Sequence, residues 1–296
     1  MNSLDAHDLM TTPIPNLPAV TPETWRIIPI HESREQLDDI QKAGVITDST
    51  YAAASTDSPY HTGGLEGSTR TLFARKEVVG MLAAAQAMLP NDMGLVAMDS
   101  WRSFQVQQSL FNSYYYSLKQ LHPDWQENDL LAESQKYVSL PSTNPACPSP
   151  HNTGGSVDVL VYQLPSGSTR SMLSEPEILQ TATLLDTGVP FDHGGQESAV
   201  RYFEDNDAPN AEVYRRNRRL LYWAMIMAGF AAFPPEIWHY NYGNQMAAQA
   251  NGSDFAIYGQ AELSPYNQAL ERVSRSKHRE RLISNFDLSA IIKPVD

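Results

Sequence analysis

Apolar residues fall into short blocks separated by polar, proline and glycine-rich stretches, and their spacing changes from block to block. Residues 210–228 carry the clearest helical pattern. Tyr214, Leu221, Met225 and Ala228 recur at three-to-four spacing, the arginines from Arg215 to Arg219 fall mostly on other faces, and Gly229 supplies a stop. "RKEVVGMLAAAQAML" (75–89) is rich in helix formers and ends at Pro90-Asn91. Further helices are expected over 103–121, 124–138 and 175–186. "TWRIIPI" (24–30) alternates like a strand, whereas "GLVAMDSWR" (94–102) and residues 156–163 read as buried strands. "FAAFPPEIWHYNYG" predicts two short strands around the Pro234-Pro235 turn. The segment 51–67, rich in Ser, Thr, Gly and Tyr, reads as a loop and a candidate binding surface, and 141–155 as a second loop.

Helices and strands interleave irregularly and without repeats. That order predicts one α+β domain with a small, mostly antiparallel sheet flanked by helices. Residues 1–22, with Pro13, Pro15, Pro18 and Pro22, read as an extended arm, 23–246 as the domain, and 247–296 as an extension packed on it. A chain of 296 residues can bury a sizeable core.

Composition narrows the partners. No apolar run approaches the ~18 residues of a membrane span. The opening "MNSLDAHDLMTTPIPNLPAV" has acids where a secretory signal carries basic residues. A cytoplasmic location is therefore expected, or a periplasmic one if a signal has been removed. A net charge of −13 argues against nucleic acid, and weakly against an anionic wall polymer. The basic clusters Arg215 to Arg219 and Arg272 to Arg281 read as solvated helix faces. Cys147 stands alone, which excludes an internal disulfide or an all-cysteine metal site and fits a reducing compartment.

The chemistry starts at "NPACPSPHNTGGSVDVLVY" (144–162). Asp158 sits between Val157 and Val159, in a strand that should be buried, and a buried carboxylate needs a partner charge or several donors. His151 precedes it by seven residues, and Gly154-Gly155 lets the chain fold back between them. A divalent metal supplies the charge, and imidazole with carboxylate suits zinc. A turn histidine near a hydrogen-bonded aspartate fits the same residues. Farther on, Glu236 lies three residues before His239. In a regular strand such positions face opposite sides, so the two share a site only if Glu236 sits in the Pro-Pro turn. His239 then becomes a third ligand with Glu236 beside it, the open-position pattern of catalytic zinc. An aromatic-rich core strand with one satisfied histidine is the other reading. No H-E-x-x-H occurs, and His31, His61, His122 and His278 lack ligand spacing.

Taken together, S-x-H-x-x-G-x-S-x-D from Ser149 to Asp158 and E-x-W-H from Glu236 to His239 resemble the zinc D-Ala-D-Ala peptidase family. That family includes the vancomycin-resistance dipeptidases, related D,D-carboxypeptidases and some phage endolysins. It more often has alanine at the position of Ser156, a small-for-small change. The resemblance implies a Hedgehog/DD-peptidase-like fold and one Zn2+ per chain on His151, Asp158 and His239. It makes Glu236 the general base and acid, and Arg102 of "DSWRS" the cation facing the tetrahedral intermediate, although Trp101 stands where tyrosine is usual. Ser149, two residues from a ligand, is expected to bind substrate or brace its loop.

"GVPFDHGG" resembles a Gly-x-x-Phe-Asp element of the dipeptidase branch, which makes Asp192, with Tyr51, the candidate for a substrate ammonium. A turn cap beside Gly194-Gly195 is its plainer role. The implied activity is hydrolysis of a small peptide substrate, a D-Ala-D-Ala-type dipeptide. A D,D-carboxypeptidase or related peptidoglycan peptidase is the alternative, and a non-catalytic zinc-binding protein, which would need neither Glu236 nor Arg102, the third. A long interval from Asp158 to Glu236 and the C-terminal extension are expected to reshape the pocket.

Overall fold

The computed structural model describes residues 6–52 and 64–275. His61, His278, the basic run from Lys277 to Arg281 and most of the 51–67 loop lie outside the described residues.

Among the described residues the strands are β1 (Leu37–Asp39), β2 (Ile46–Thr47), β3 (Phe73–Arg75), β4 (Met93–Asp99), β5 (Ser156–Gln163), β6 (Thr183–Leu184), β7 (Ala231–Ala232) and β8 (His239–Asn241). β1 and β3 form a separate antiparallel ribbon. The others make one sheet built on β5. β4 runs antiparallel along one side of β5, while β8 pairs with its first residues and β6 with its last on the other side. β7 lies beyond β8, and β2 extends β4 as the one parallel pairing of this sheet. The α+β class and the small, mostly antiparallel sheet are as expected.

β5 is a strand because its β-branched residues fit a pleated surface buried on both faces. Val157, Val159 and Val161 are sealed from solvent, and each contributes about 1.5–3 kcal/mol on burial. The helix Ala211–Met227 adds Leu220, Leu221, Ala224 and Met225 to the same core, and Lys76–Met88 adds Val78, Val79 and Leu82. Helix Phe104–Leu121 joins Val106, Leu110 and Phe111 to Tyr51, Leu65 and Val138 in a smaller cluster. One polar residue of the long helix is buried with the core. Arg218 donates to the carbonyls of Thr187, Ala199 and Glu197 at 2.6–2.7 Å, and so pins the irregular segment that carries Asp192.

Some local expectations give way. "TWRIIPI" is not a strand: Pro22–Trp25 form a helical turn, and beyond it only Ile30 makes a bridge, to Ala256. A Thr21/Thr24 capping box and Pro22 in the first turn prevail over the alternation. Residues 1–22 are not uniformly extended, since Ala6–Thr11 is helical, Leu9 and Ile14 are buried, and Trp223 Nε1 donates to the Thr12 carbonyl at 2.8 Å. The helix expected over 175–186 stops at Thr181, and Thr183 and Leu184 pair with β5 instead.

Past residue 247 the described chain is bonded to the domain. Glu271 accepts from the backbone N–H groups of Arg70 and Thr71, both at 2.9 Å. Trp101 Nε1 donates to the Ala261 carbonyl at 2.9 Å, and Ala261 N–H to that of Asn152 at 2.8 Å. Buried Arg75 spans three segments, donating to the carbonyls of Thr153 (2.8 Å) and Gly259 (3.0 Å) and pairing with Glu32 (3.1 Å).

Candidate metal centre and cleft

Strand register assembles the site. Asp158 lies opposite Asp99 on one neighbouring strand and opposite His239 on the other. His151 arrives from the short 3₁₀ turn Pro150–Thr153, which ends at Gly154 with φ +71°. A side chain on Gly155 would place its Cβ 2.3 Å from the Tyr242 carbonyl oxygen, so the fold-back needs glycine there. Glu236 sits in the turn after Pro234-Pro235, where the chain bends enough to bring it and His239 to one side.

Three buried side chains converge. His239 Nδ1 is 2.9 Å from Asp158 Oδ1 and 3.1 Å from His151 Nε2, and His151 Nε2 is 3.5 Å from Asp158 Oδ2. His151 Nδ1 lies 2.7 Å from the Ser100 carbonyl oxygen, which can only accept. Nδ1 therefore carries the proton and Nε2 presents its lone pair to the cluster. On His239 the Nε2 side lies 3.2 Å from the Asn241 side-chain oxygen, which leaves Nδ1 toward the cluster. Two imidazole nitrogens and a carboxylate, within 4.8 Å of one another and largely buried, are a donor set for one Zn2+. A cation there relieves the opposed lone pairs and the buried negative charge.

Burial is the largest influence on all three groups. It pulls His151 below the usual histidine range, helped by the Arg102 charge. At His239 it is outweighed by the hydrogen bond and charge of Asp158, which hold the ring above its usual value. At Asp158 it is outweighed by His151, His239 and Arg102, so the carboxyl stays below its usual range and ionised.

Arg102 stands beside the cluster, its Nη2 3.6 Å from Asp158 Oδ2. Its Nε donates to Asp99 Oδ2 at 2.5 Å, its Nη1 to Gln107 Oε1 at 3.1 Å, and its guanidinium lies 4.8 Å over the Tyr51 ring. Burial alone would lower its pKa, but Asp99, Tyr51 and Asp158 more than restore it. Sequence reasoning passed over Asp99 and Gln107. The signal for Asp99 was present, for it ends an apolar run with the same misplaced acid that drew attention to Asp158.

A cleft of about 540 Å³ opens onto these groups, with Asp192 and Glu236 on its walls and Arg26 contributed from the N-terminal segment. Glu236 Oε2 is 3.9 Å from His239 Nδ1. Burial, reinforced by Asp158 and Asp192, pushes Glu236 up to about 7. Asp192 adopts φ +64° and, chiefly through burial, is pushed up to about 6. The Tyr51 hydroxyl donates to Asp192 Oδ2 at 3.5 Å. Ser149 turns away: its buried hydroxyl donates to the Leu140 carbonyl at 2.9 Å and braces the loop. His31 and His122 stack on Phe255 and Trp125, outside the ligand cluster.

Comparison with known proteins identifies a family for the chain. A family model described as "D-ala-D-ala dipeptidase" matches residues 36–257. A D-alanyl-D-alanine dipeptidase of Synechocystis sp. is 26% identical over 266 residues, covering 79% of this chain and 95% of that protein. Two solved structures align over 78% of the chain at low similarity. One is the vancomycin-resistance D,D-pentapeptidase VanY with Zn(II), at 15% identity, 96% of that chain and a TM-score of 0.29. The other is the D,D-dipeptidase VanXYg with a D-Ala-D-Ala phosphinate analogue, at 16% identity, 70% of that chain and a TM-score of 0.31.

Proposed function

The chain belongs to the D-Ala-D-Ala dipeptidase family and is a zinc metallopeptidase, and from that premise we propose that it hydrolyses a free D-Ala-D-Ala-type dipeptide. One observation carries the reading. The cleft that opens on His151, Asp158 and His239 places two carboxylates outside the ligand set next to its inner groups, Glu236 beside His239 and Asp192 beside Tyr51.

His151, Asp158 and His239 would hold the Zn2+, which when bound would supply Lewis acidity at the mouth of the cleft. Glu236 takes a proton from the attacking water and returns it to the leaving amine, and a pKa raised to about 7 suits a group that must do both near neutrality. Arg102, fixed by Asp99 and Gln107, offers a permanently charged planar donor to the oxygen that becomes negative. Asp192 and Tyr51 receive the ammonium of a dipeptide, which a longer chain lacks at that position.

The test is to measure bound zinc, then amino acid released from D-Ala-D-Ala, L-Ala-L-Ala and a D-Ala-D-Ala-terminated pentapeptide. Release from the free D,D-dipeptide alone supports the proposal. Release from the pentapeptide alone would support the second reading, a D,D-carboxypeptidase, which is favoured by a cleft of about 540 Å³, larger than two alanines fill. Bound zinc without hydrolysis of any peptide would leave a binding protein.

A further inference from the structure

Behind His239, on the side away from the cleft, lies a polar network with no part in the chemistry described so far. Asn241, Ser156 and Asn244 are all sealed from solvent. Asn241 Oδ1 is approached by His239 Nε2 at 3.2 Å, Ser156 Oγ at 2.8 Å and Asn244 Nδ2 at 2.8 Å. Asn244 Nδ2 also donates to Ser156 Oγ at 2.9 Å.

The direction of every bond follows from one backbone group. Asn244 caps the helix Gln245–Ala250, and its Oδ1 accepts the Ala247 N–H at 2.9 Å. That contact fixes which end of the Asn244 amide is oxygen, so the end facing Ser156 and Asn241 is the NH2 donor. Ser156 Oγ, already accepting from it, turns its own proton to Asn241. Two donors aimed at one atom require that atom to be the Asn241 carbonyl oxygen. An amide oxygen can only accept, so His239 Nε2 must donate to it. Nε2 is thereby committed to a proton, and Nδ1, the nitrogen 2.9 Å from Asp158, is the one whose lone pair a metal can take.

We propose that the Asn244–Ser156–Asn241 network is a positioning device that locks His239 in the Nε2–H tautomer and thereby prepares Nδ1 for metal. It assigns Ser156 a function, as the middle link that both receives from Asn244 and donates to Asn241. The inference rests on reading His239 as a zinc ligand. Partners of this kind change metal affinity by about 10–100-fold in other sites.

Asn244→Asp tests it with the smallest change. The aspartate keeps the helix cap but replaces the Nδ2 donor with oxygen, which drives Asn241 to present its NH2 group instead. That group faces His239 Nε2 and favours the wrong tautomer. Zinc affinity, read by competition with a chromophoric chelator, should fall 10–100-fold, and in the zinc-loaded protein the His239 Nε2–H resonance should shift upfield and exchange faster with solvent as it loses its acceptor on Asn241. Asn241→Asp with Asn244 left native puts at 241 a carboxylate that accepts from every donor, and should keep affinity within a few-fold of the native protein. Unchanged affinity and an unchanged Nε2–H resonance in Asn244→Asp would overturn the proposal, and its failure to fold would pass the same two readouts to Ser156→Ala, with a smaller expected loss. If the native protein itself holds no zinc, the metal reading fails; if it holds zinc and Asn244→Asp holds it as tightly, only the positioning role fails.

Discussion

Asp99 grips Arg102 at 2.5 Å, and the same carboxylate oxygen lies 3.0 Å from His151 Nδ1. One acid at the end of β4 therefore orients both the proposed oxyanion donor and a metal-binding histidine. Arg102→Lys keeps the charge but loses the planar fork that reaches Asp99 and Gln107 together. We expect zinc content to stay near one per chain while kcat falls by about 10²–10³-fold. Steady-state kinetics on protein of measured zinc content checks this, and a kcat within a few-fold of native would remove Arg102 from the mechanism.

Glu236 is not needed to hold the metal in this arrangement. Glu236→Ala should retain zinc and lose about 10²–10⁴-fold in turnover, the usual worth of a positioned proton carrier. Near-native turnover would falsify its assigned role.

The pH dependence of substrate binding should report Asp192. Burial raises its carboxyl to about 6, so the charged form that attracts an ammonium is complete only above that value. As pH falls through about 6 the group takes up a proton, the attraction is lost, and KM for the free dipeptide rises. Asp192→Asn should show a high KM without that limb. An unchanged limb in the variant would trace it to another group.

Arg218 carries a stability prediction. Replacing it with methionine strands the carbonyls of Thr187, Glu197 and Ala199 without their donor. The expected loss is about 3 kcal/mol or more, at about 1–3 kcal/mol for each buried group left unpaired. KM should rise with it, because the same carbonyls frame Asp192, while zinc content holds. A urea midpoint equal to native would contradict this account.

Much of the site could be read from the chain because its parts are local and costly to explain otherwise. Asp158 between valines announces a partner, and Glu236 after two prolines announces a turn. Long helices and β5 were legible from periodicity and from valine content. What stayed hidden depends on pairing between distant segments. Nothing near Asp99 says that β4 will lie against β5 and set it opposite Asp158. Nothing in residues 24–30 reveals that a capped turn outweighs an alternating pattern. Ser156 looked interchangeable with alanine because its neighbours Asn241 and Asn244 are more than eighty positions away, and only the fold brings their amides to its hydroxyl.

The clamp on the His151 loop comes from residues that follow all three ligands in the sequence. His151 and His239 stand 88 positions apart, and the loop between Ser149 and Gly155 is held from behind by the carbonyl and N–H groups of Gly259 and Ala261, through Arg75 and Asn152. A growing chain delivers its first two ligands long before the third, and all three before the segment that fixes the loop. Folding units complete only when their long-range contacts can close. A chain truncated before Gly259 should therefore hold its His151 loop less firmly, and a zinc affinity equal to that of the full chain would contradict this account.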